Sequence, residues 1–235
     1  MKPLFVTGTD TGVGKTRVAG ALLRAYAKRG ASVAGMKPVA SGCAETLEGL
    51  RNDDALALHA ASTVRLRYDD VNPYAFAPAI APHIAAEEDG RVIELAVLEH
   101  AYQRLALLAE RVVIEGAGGW LTPLGPQITL ADFAGLVDAD IVLVVGLRLG
   151  CLNHALLTAQ AIRASGLELA GWVGNAIDPA FERTEANLAA LRRRLAAPCV
   201  GVLPYAPETT ADELAGTLRV DALQAKGVPD RRKGS

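Results

Sequence analysis

Cysteine is scarce in this chain of 235 residues: Cys43, Cys151 and Cys199 are odd in number and far apart. No Cys-x-x-Cys pair is present, so the sequence carries neither a zinc-ribbon pattern nor a redox couple, and a reducing cytoplasm suits three unpaired thiols. The four histidines, His59, His83, His100 and His154, lack metal-ligand spacing and read as packing or surface residues. Excess charge is missing too. With a formal net charge of −2 there is no electrostatic reason for a nucleic-acid partner, which usually demands a basic patch or stripe. The densest basic run, Arg192 to Arg194, falls where a helix is expected to end, and cations there oppose the negative end of the helix dipole. No apolar run approaches the ~18 residues of a membrane span. The first strand is expected within a few residues of Met1, leaving no room for a secretory signal. The expectation is a soluble, cytoplasmic protein with no nucleic-acid and no membrane partner.

What is present is concentrated between Val6 and Thr16, Val-Thr-Gly-Thr-Asp-Thr-Gly-Val-Gly-Lys-Thr. An apolar run, Pro3 to Thr7, precedes it, and Val18, Leu22, Leu23 and Tyr26 follow at helical spacing up to Gly30, giving strand, loop and helix. Free backbone N–H groups and the positive dipole end at such a helix start attract an anion. Lys15 adds a charge that can reach terminal phosphates, and the Thr16 hydroxyl can ligate magnesium between phosphate oxygens. The usual phosphate-loop pattern has four residues between its glycines, whereas five separate Gly8 from Gly14, and Thr9 stands at the expected first glycine.

Further strand-like runs occur at Ser32 to Met36, Val112 to Ile114, Ile141 to Val145, Leu169 to Val173 and Val200 to Leu203. Helices are expected over roughly Lys15 to Arg29, Asp53 to Ala60, Ile93 to Glu110, Leu130 to Val137, Asn153 to Ala164 and Pro179 to Leu195. Strands apolar on both faces and separated by helices imply one α/β domain over residues 1–229, a single-domain P-loop NTPase fold with a mostly parallel sheet and helices on both faces. The tail 230–235 lacks an apolar anchor and is expected to be disordered. The proline-rich stretch Asn72 to Pro82, with His83 beside it, reads as an irregular loop.

In such folds ligands gather at the carboxyl ends of the strands, and three segments there are chemically loaded. Lys37 precedes Pro38, which holds it extended, with small Ala40, Ser41 and Gly42 close behind. A solvated strand-end lysine is the plain alternative. Glu115 ends an apolar run before glycines and resembles a Walker B acid with Glu in place of Asp. Asp53 is offered as a helix cap, which leaves Asp54 as a second free carboxylate. Magnesium takes one or two carboxylates plus phosphate and water, a set that Thr16, Asp54 and Glu115 can supply.

Together these residues resemble the dethiobiotin synthetase family. The resemblance rests on segments 8–16, 37–42, Arg-Asn-Asp-Asp-Ala at 51–55, Val-Asn-Pro-Tyr at 71–74 and Glu-Gly-Ala-Gly-Gly at 115–119. Gly-Cys-Leu-Asn-His at 150–154, Ala-Gly-Trp-Val-Gly-Asn at 170–175 and Leu-Pro-Tyr at 203–205 complete it. It implies an ATP-dependent cyclo-ligase that uses Mg2+ to join 7,8-diaminononanoate and CO2, acting as a homodimer with shared sites. Lys15 and Lys37 would be catalytic and flank the γ-phosphate and a carbamate, with Thr11 and Ser41 at the amine and carbamate end. ATP would meet Thr11, Gly12, Val13, Gly14, Lys15, Thr16, Arg17, Asp54 and Glu115, with Asn175 and Pro204 near adenine. Gly118 and the segment Leu149, Gly150, Cys151, Leu152 and Asn153 would serve the substrate, the segment binding its carboxylate in the partner's pocket beside a helix start at Asn153. Gly12 stands where some members have a glutamate, and the loop segment holding His83 resembles one that lies over the family's active site.

Two alternatives stay open at this point. One is a nucleotide-switched dimeric ATPase of the partition or nitrogenase-iron-protein kind. Those relatives place a lysine early in the loop, and the position here is Asp10. The other is a scaffold that binds nucleotide without turnover, in which Lys37 is incidental.

Overall fold

The computed structural model describes residues 1–223; the tail 230–235, expected to be disordered, lies outside the described residues. In chain order the elements are β1 (Leu4–Gly8), α1 (Lys15–Ala27), β2 (Val33–Met36), β3 (Val39–Ser41), β4 (Ala44–Thr46), β5 (Gly49–Arg51), α2 (Asp53–Ala61), α3 (Tyr68–Val71), β6 (Tyr74–Phe76) and α4 (Pro82–Glu88). They continue with α5 (Leu95–Leu108), β7 (Arg111–Glu115), α6 (Leu130–Leu136), β8 (Asp140–Leu147), α7 (Cys151–Ala164), β9 (Leu169–Ala176), α8 (Thr184–Arg194), β10 (Cys199–Leu203) and α9 (Ala211–Ala215), and a 3-10 turn covers Val220–Leu223.

Six strands form one parallel sheet in the order β10-β9-β8-β1-β7-β2. Each was legible as an apolar run because a strand covered on both faces cannot alternate with polar residues. Period-2 alternation divides the core between those faces. Leu4, Val6, Val142 and Val144 pack with α1 and α9, while Phe5, Ile141, Leu143 and Val145 pack with α5, α6 and α7. The register sets Val6 level with Glu115 and Met36 level with Ile114. The carboxyl ends of β1, β7 and β2 therefore lie side by side, next to the point where the strand order reverses around β1.

Several boundaries differ from the sequence reading. The stretch Asn72 to Pro82 is not wholly irregular: β6 pairs in parallel with β3, Val39 level with Tyr74. Pro82 then opens α4 at its first position, where a missing N–H costs nothing. The helix expected from Pro179 begins at Thr184, after Arg183 in a left-handed conformation. It does end on Arg192, Arg193 and Arg194 as expected. The cap of α2 is Asn52, whose side chain accepts from Ala55 N; Asp53, offered as the cap, is the first helical residue. The helix expected from Asn153 starts two residues earlier, at Cys151, because Gly150 takes the left-handed turn (φ 94°) that launches it. Asn153 thus lies within the first turn rather than at its start.

Candidate active site

The phosphate loop joins β1 to α1. Thr9 N donates to Val144 O of β8 (3.0 Å), and the buried Val13 points its carbonyl at Asn175 Nδ2 on β9 (2.8 Å). Gly14, in the left-handed region (φ 88°), caps α1 without any side-chain hydrogen bond. The first-turn N–H groups, which no helical carbonyl can reach, are thus left facing the loop. A Cβ on Gly14 would sit 2.1 Å from Asn175 Nδ2, so the close approach of β9 to the loop requires glycine. Lys15 Nζ folds back to donate to Asp10 O (3.0 Å).

Beside this helix start lies a compact polar cluster. Lys37, the residue after β2, and Glu115, the last of β7, are buried, and Lys37 Nζ lies 2.6 Å from Glu115 Oε1 and 2.8 Å from Asp54 Oδ2. The Thr16 hydroxyl lies 2.7 Å from Asp54 Oδ1 and 3.0 Å from Glu115 Oε1, and its single proton serves one of them at a time. Glu115 Oε2 is buried without a partner among the described residues. Burial disfavours the Lys37 charge, but the Glu115 and Asp54 carboxylates outweigh it and raise its pKa. Burial likewise acts against the Asp54 charge, yet Lys37 and the Thr16 hydroxyl lower its pKa. For Glu115 full burial wins and raises the carboxyl against the pull of Lys37. Lys15, desolvated and repelled by Lys37, is lowered to about 8.

Thr16, Lys37, Asp54 and Glu115, from four separate segments of the chain, thus form one hydrogen-bonded cluster, and Lys15 adjoins it on the loop. The other sequence-predicted residues are arranged around this centre. Thr11 and Gly12 are exposed at the loop tip, Thr11 N bonded to Asp10 Oδ1. Arg17 donates from Nη2 to Ala206 O (2.7 Å), tying α1 to the segment after β10, where Pro204 is exposed. Asn175 holds the loop with its amide N–H, and its Oδ1 is buried with no partner among the described residues. Ser41 ends β3 with its Oγ buried and without a partner among the described residues. Gly118 lies in the turn after β7. At the start of α7, Leu149 is 93% exposed and Asn153 is exposed, whereas Cys151 is buried and Leu152 half-buried. His83 Nδ1 is buried without a partner among the described residues.

Sequence reasoning missed the supports of this centre. Asn72 Nδ2 donates to Lys37 O (2.8 Å) and Lys37 N donates to Val71 O (2.7 Å), clamping the lysine backbone on both sides. Tyr68 Oη accepts from Asn52 N and reaches Asn72 Oδ1, joining the α2 cap to that clamp. The Val-Asn-Pro-Tyr segment was the available signal for Asn72. The ion pair between Arg148 Nη2 and Asp10 Oδ2 (2.5 Å) had none, since 138 residues separate its partners. It ties the loop to the segment that begins at Leu149. A cleft of about 580 Å³, lined by Lys2, Arg111, Asp138 and Asp140 among others, lies at the opposite, amino ends of the strands and away from this chemistry.

A protein-family model described as "AAA domain" matches residues 2–213. The chain is 53% identical over 224 residues to the ATP-dependent dethiobiotin synthetase BioD of Pseudomonas aeruginosa (strain UCBPP-PA14), covering 95% of this chain and 98% of that one. It is 49% identical over 230 residues to the protein of the same name from Yersinia pestis bv. Antiqua (strain Angola), covering 95% and 96%. Among solved structures, the MinC:MinD cell division protein complex of Aquifex aeolicus matches over all of both chains with a TM-score of 0.57 at 15% identity, a likeness of fold alone. About half of all positions, over nearly the whole of both chains, are shared with the synthetases, and the chain belongs to the ATP-dependent dethiobiotin synthetase family.

Proposed function

We propose that this chain closes the ureido ring of dethiobiotin from 7,8-diaminononanoate and CO2 at the cluster of Lys15, Thr16, Lys37, Asp54 and Glu115, converting ATP to ADP and phosphate. One amine captures CO2 as a carbamate, whose oxygen is a poor leaving group as hydroxide. Transfer of the γ-phosphoryl group to that oxygen makes a mixed anhydride. The second amine then attacks the carbonyl carbon, the C–O bond breaks, and phosphate leaves. Phosphoryl transfer needs positioned positive charge more than covalent help, and the observation that carries the proposal is the pair of partly or fully buried ammonium groups, Lys15 and Lys37, beside an uncapped helix start.

Thr16, Asp54 and Glu115 offer hydroxyl and carboxylate oxygens at one point, and Glu115 Oε2, without a hydrogen-bond partner among the described residues, is a ligand oxygen not yet used there. This set suits an oxygen-ligated divalent cation such as Mg2+. A cation held by these three residues would supply charge that neutralises the phosphates. Thr11 and Ser41 serve the amine and carbamate end, Asn175 and Pro204 the adenine, and Gly118 with the segment 149–153 the diamine. In a homodimer that segment reaches the partner's pocket, and the exposure of Leu149 and Asn153 supports this arrangement. Three free, buried cysteines suit the cytoplasm. Among the described residues no helix is long and apolar enough to cross a membrane.

The switch ATPase is not favoured. The likeness to MinD is one of fold, and the residue where those ATPases carry their early lysine is Asp10, paired with Arg148. Release of ADP by purified protein with MgATP and bicarbonate, with and without the diamine, tests the proposal. ADP formed only with the diamine, with an equal amount of dethiobiotin identified by mass, is the expected result. Diamine-independent hydrolysis would return the switch ATPase, and binding without turnover the scaffold.

A further inference from the structure

We propose that Lys37 is an internal stand-in for the divalent cation: with no metal bound its ammonium sits between Asp54 and Glu115, and arrival of the cation expels it toward the phosphoryl path. The proposal rests on the reading of Thr16, Asp54 and Glu115 as the cation's ligands. The geometry points to competition for one place. Lys37 Nζ is 2.6 Å from Glu115 Oε1 and 2.8 Å from Asp54 Oδ2, and the Thr16 hydroxyl touches both carboxylates. An ammonium and a divalent ion cannot both stand between the same two oxygens, because Mg2+ requires its ligands at about 2.0–2.1 Å.

Glu115, with 0% exposure, supplies the reason for a stand-in. A fully buried carboxylate is costly unless a counter-charge accompanies it. Lys37 is the only cationic side chain hydrogen-bonded to either carboxylate among the described residues. The backbone around it is clamped by Val71 O and Asn72 Nδ2, so displacement falls to the side chain, whose four-carbon stem can swing about a fixed root. Lys37 is thereby withheld from the reacting groups until the cation that must accompany ATP has arrived.

The test uses Mn2+ without nucleotide, followed by electron paramagnetic resonance, on the whole chain. Lys37→Met removes the competitor and is expected to bind Mn2+ at least about ten-fold more tightly than the native chain. Lys37→Arg keeps a cation between the carboxylates and is expected to show no gain. Equal or weaker binding by Lys37→Met, or a ten-fold gain by Lys37→Arg, would overturn the proposal. Unfolding gives a second readout: Lys37→Met should melt earlier than the native chain in EDTA and recover with Mg2+, and a variant that Mg2+ does not restore counts against the stand-in. Failure of all three proteins to bind Mn2+ even with ADP would instead remove the ligand assignment on which the proposal rests, a distinct result.

Discussion

Lys15 carries its charge where the free protein disfavours it. Desolvation and the neighbouring Lys37 bring its pKa down to about 8, although Glu115, Asp54 and Asp10 pull the other way. Phosphate oxygens at the helix start would reverse the balance, since an opposite charge within a few ångströms favours the protonated form. Near pH 8 about half of the free protein therefore holds a neutral Lys15, and ADP binding should draw in up to about 0.5 proton. Uptake should shrink well below pH 8, where the lysine is already protonated. Calorimetry in two buffers of different ionisation heat measures it, and Lys15→Gln should abolish the uptake while lowering turnover by at least about 100-fold. Uptake unchanged in Lys15→Gln would assign the proton to another group.

The loop and the helix it feeds depend on how closely β9 approaches them. Gly12 (φ 73°) and Gly14 (φ 88°) share a left-handed backbone but not an environment. Among the described residues a Cβ on Gly12 meets nothing within 4 Å, whereas one on Gly14 collides with the buried Asn175 amide. Gly12→Ala should cost only the backbone strain, about 1–2 kcal/mol. Gly14→Ala adds the collision and should break the Asn175 to Val13 hydrogen bond, for a total above about 3 kcal/mol. It should also weaken ATP binding more than Gly12→Ala does. Urea unfolding and nucleotide titration of the two variants compare them, and equal losses would show that β9 gives way.

Across the whole molecule the sheet gathers the site at one end. The parallel strands β1, β2 and β7 deliver the loop, Lys37 and Glu115 to adjacent carboxyl ends, while the Arg148–Asp10 pair joins that centre to the exposed start of α7. In the proposed homodimer a complete site takes Lys37 from one protomer and Asn153 from its partner. Lys37→Gln and Asn153→Ala homodimers should each be impaired. A mixed dimer of the two variants should regain one working site, up to half of the native activity per dimer, because one pocket then has both residues intact. Absence of any recovery would argue against a shared pocket.

The sequence by itself determined the parallel sheet and the phosphate loop, for local reasons. A strand buried on both faces must be apolar throughout, as Leu4 to Val6 and Ile141 to Val145 are, and a loop that cradles phosphate must bring glycines and a lysine to a helix start. It also singled out Lys37 and Glu115, because charges at the ends of apolar runs stand out, and Asp54, because a helix start needs only one capping side chain. Only the tertiary structure decided that Lys37 meets both carboxylates: β7 beside β2 brings Glu115 to it, α2 brings Asp54, and distance along the chain fixes neither contact. The same is true of the Asn72 clamp, the Asn52 cap, the β3–β6 pair and the Arg148–Asp10 link. Short strands and single hydrogen bonds leave little trace in local composition, and a contact across 138 residues leaves none.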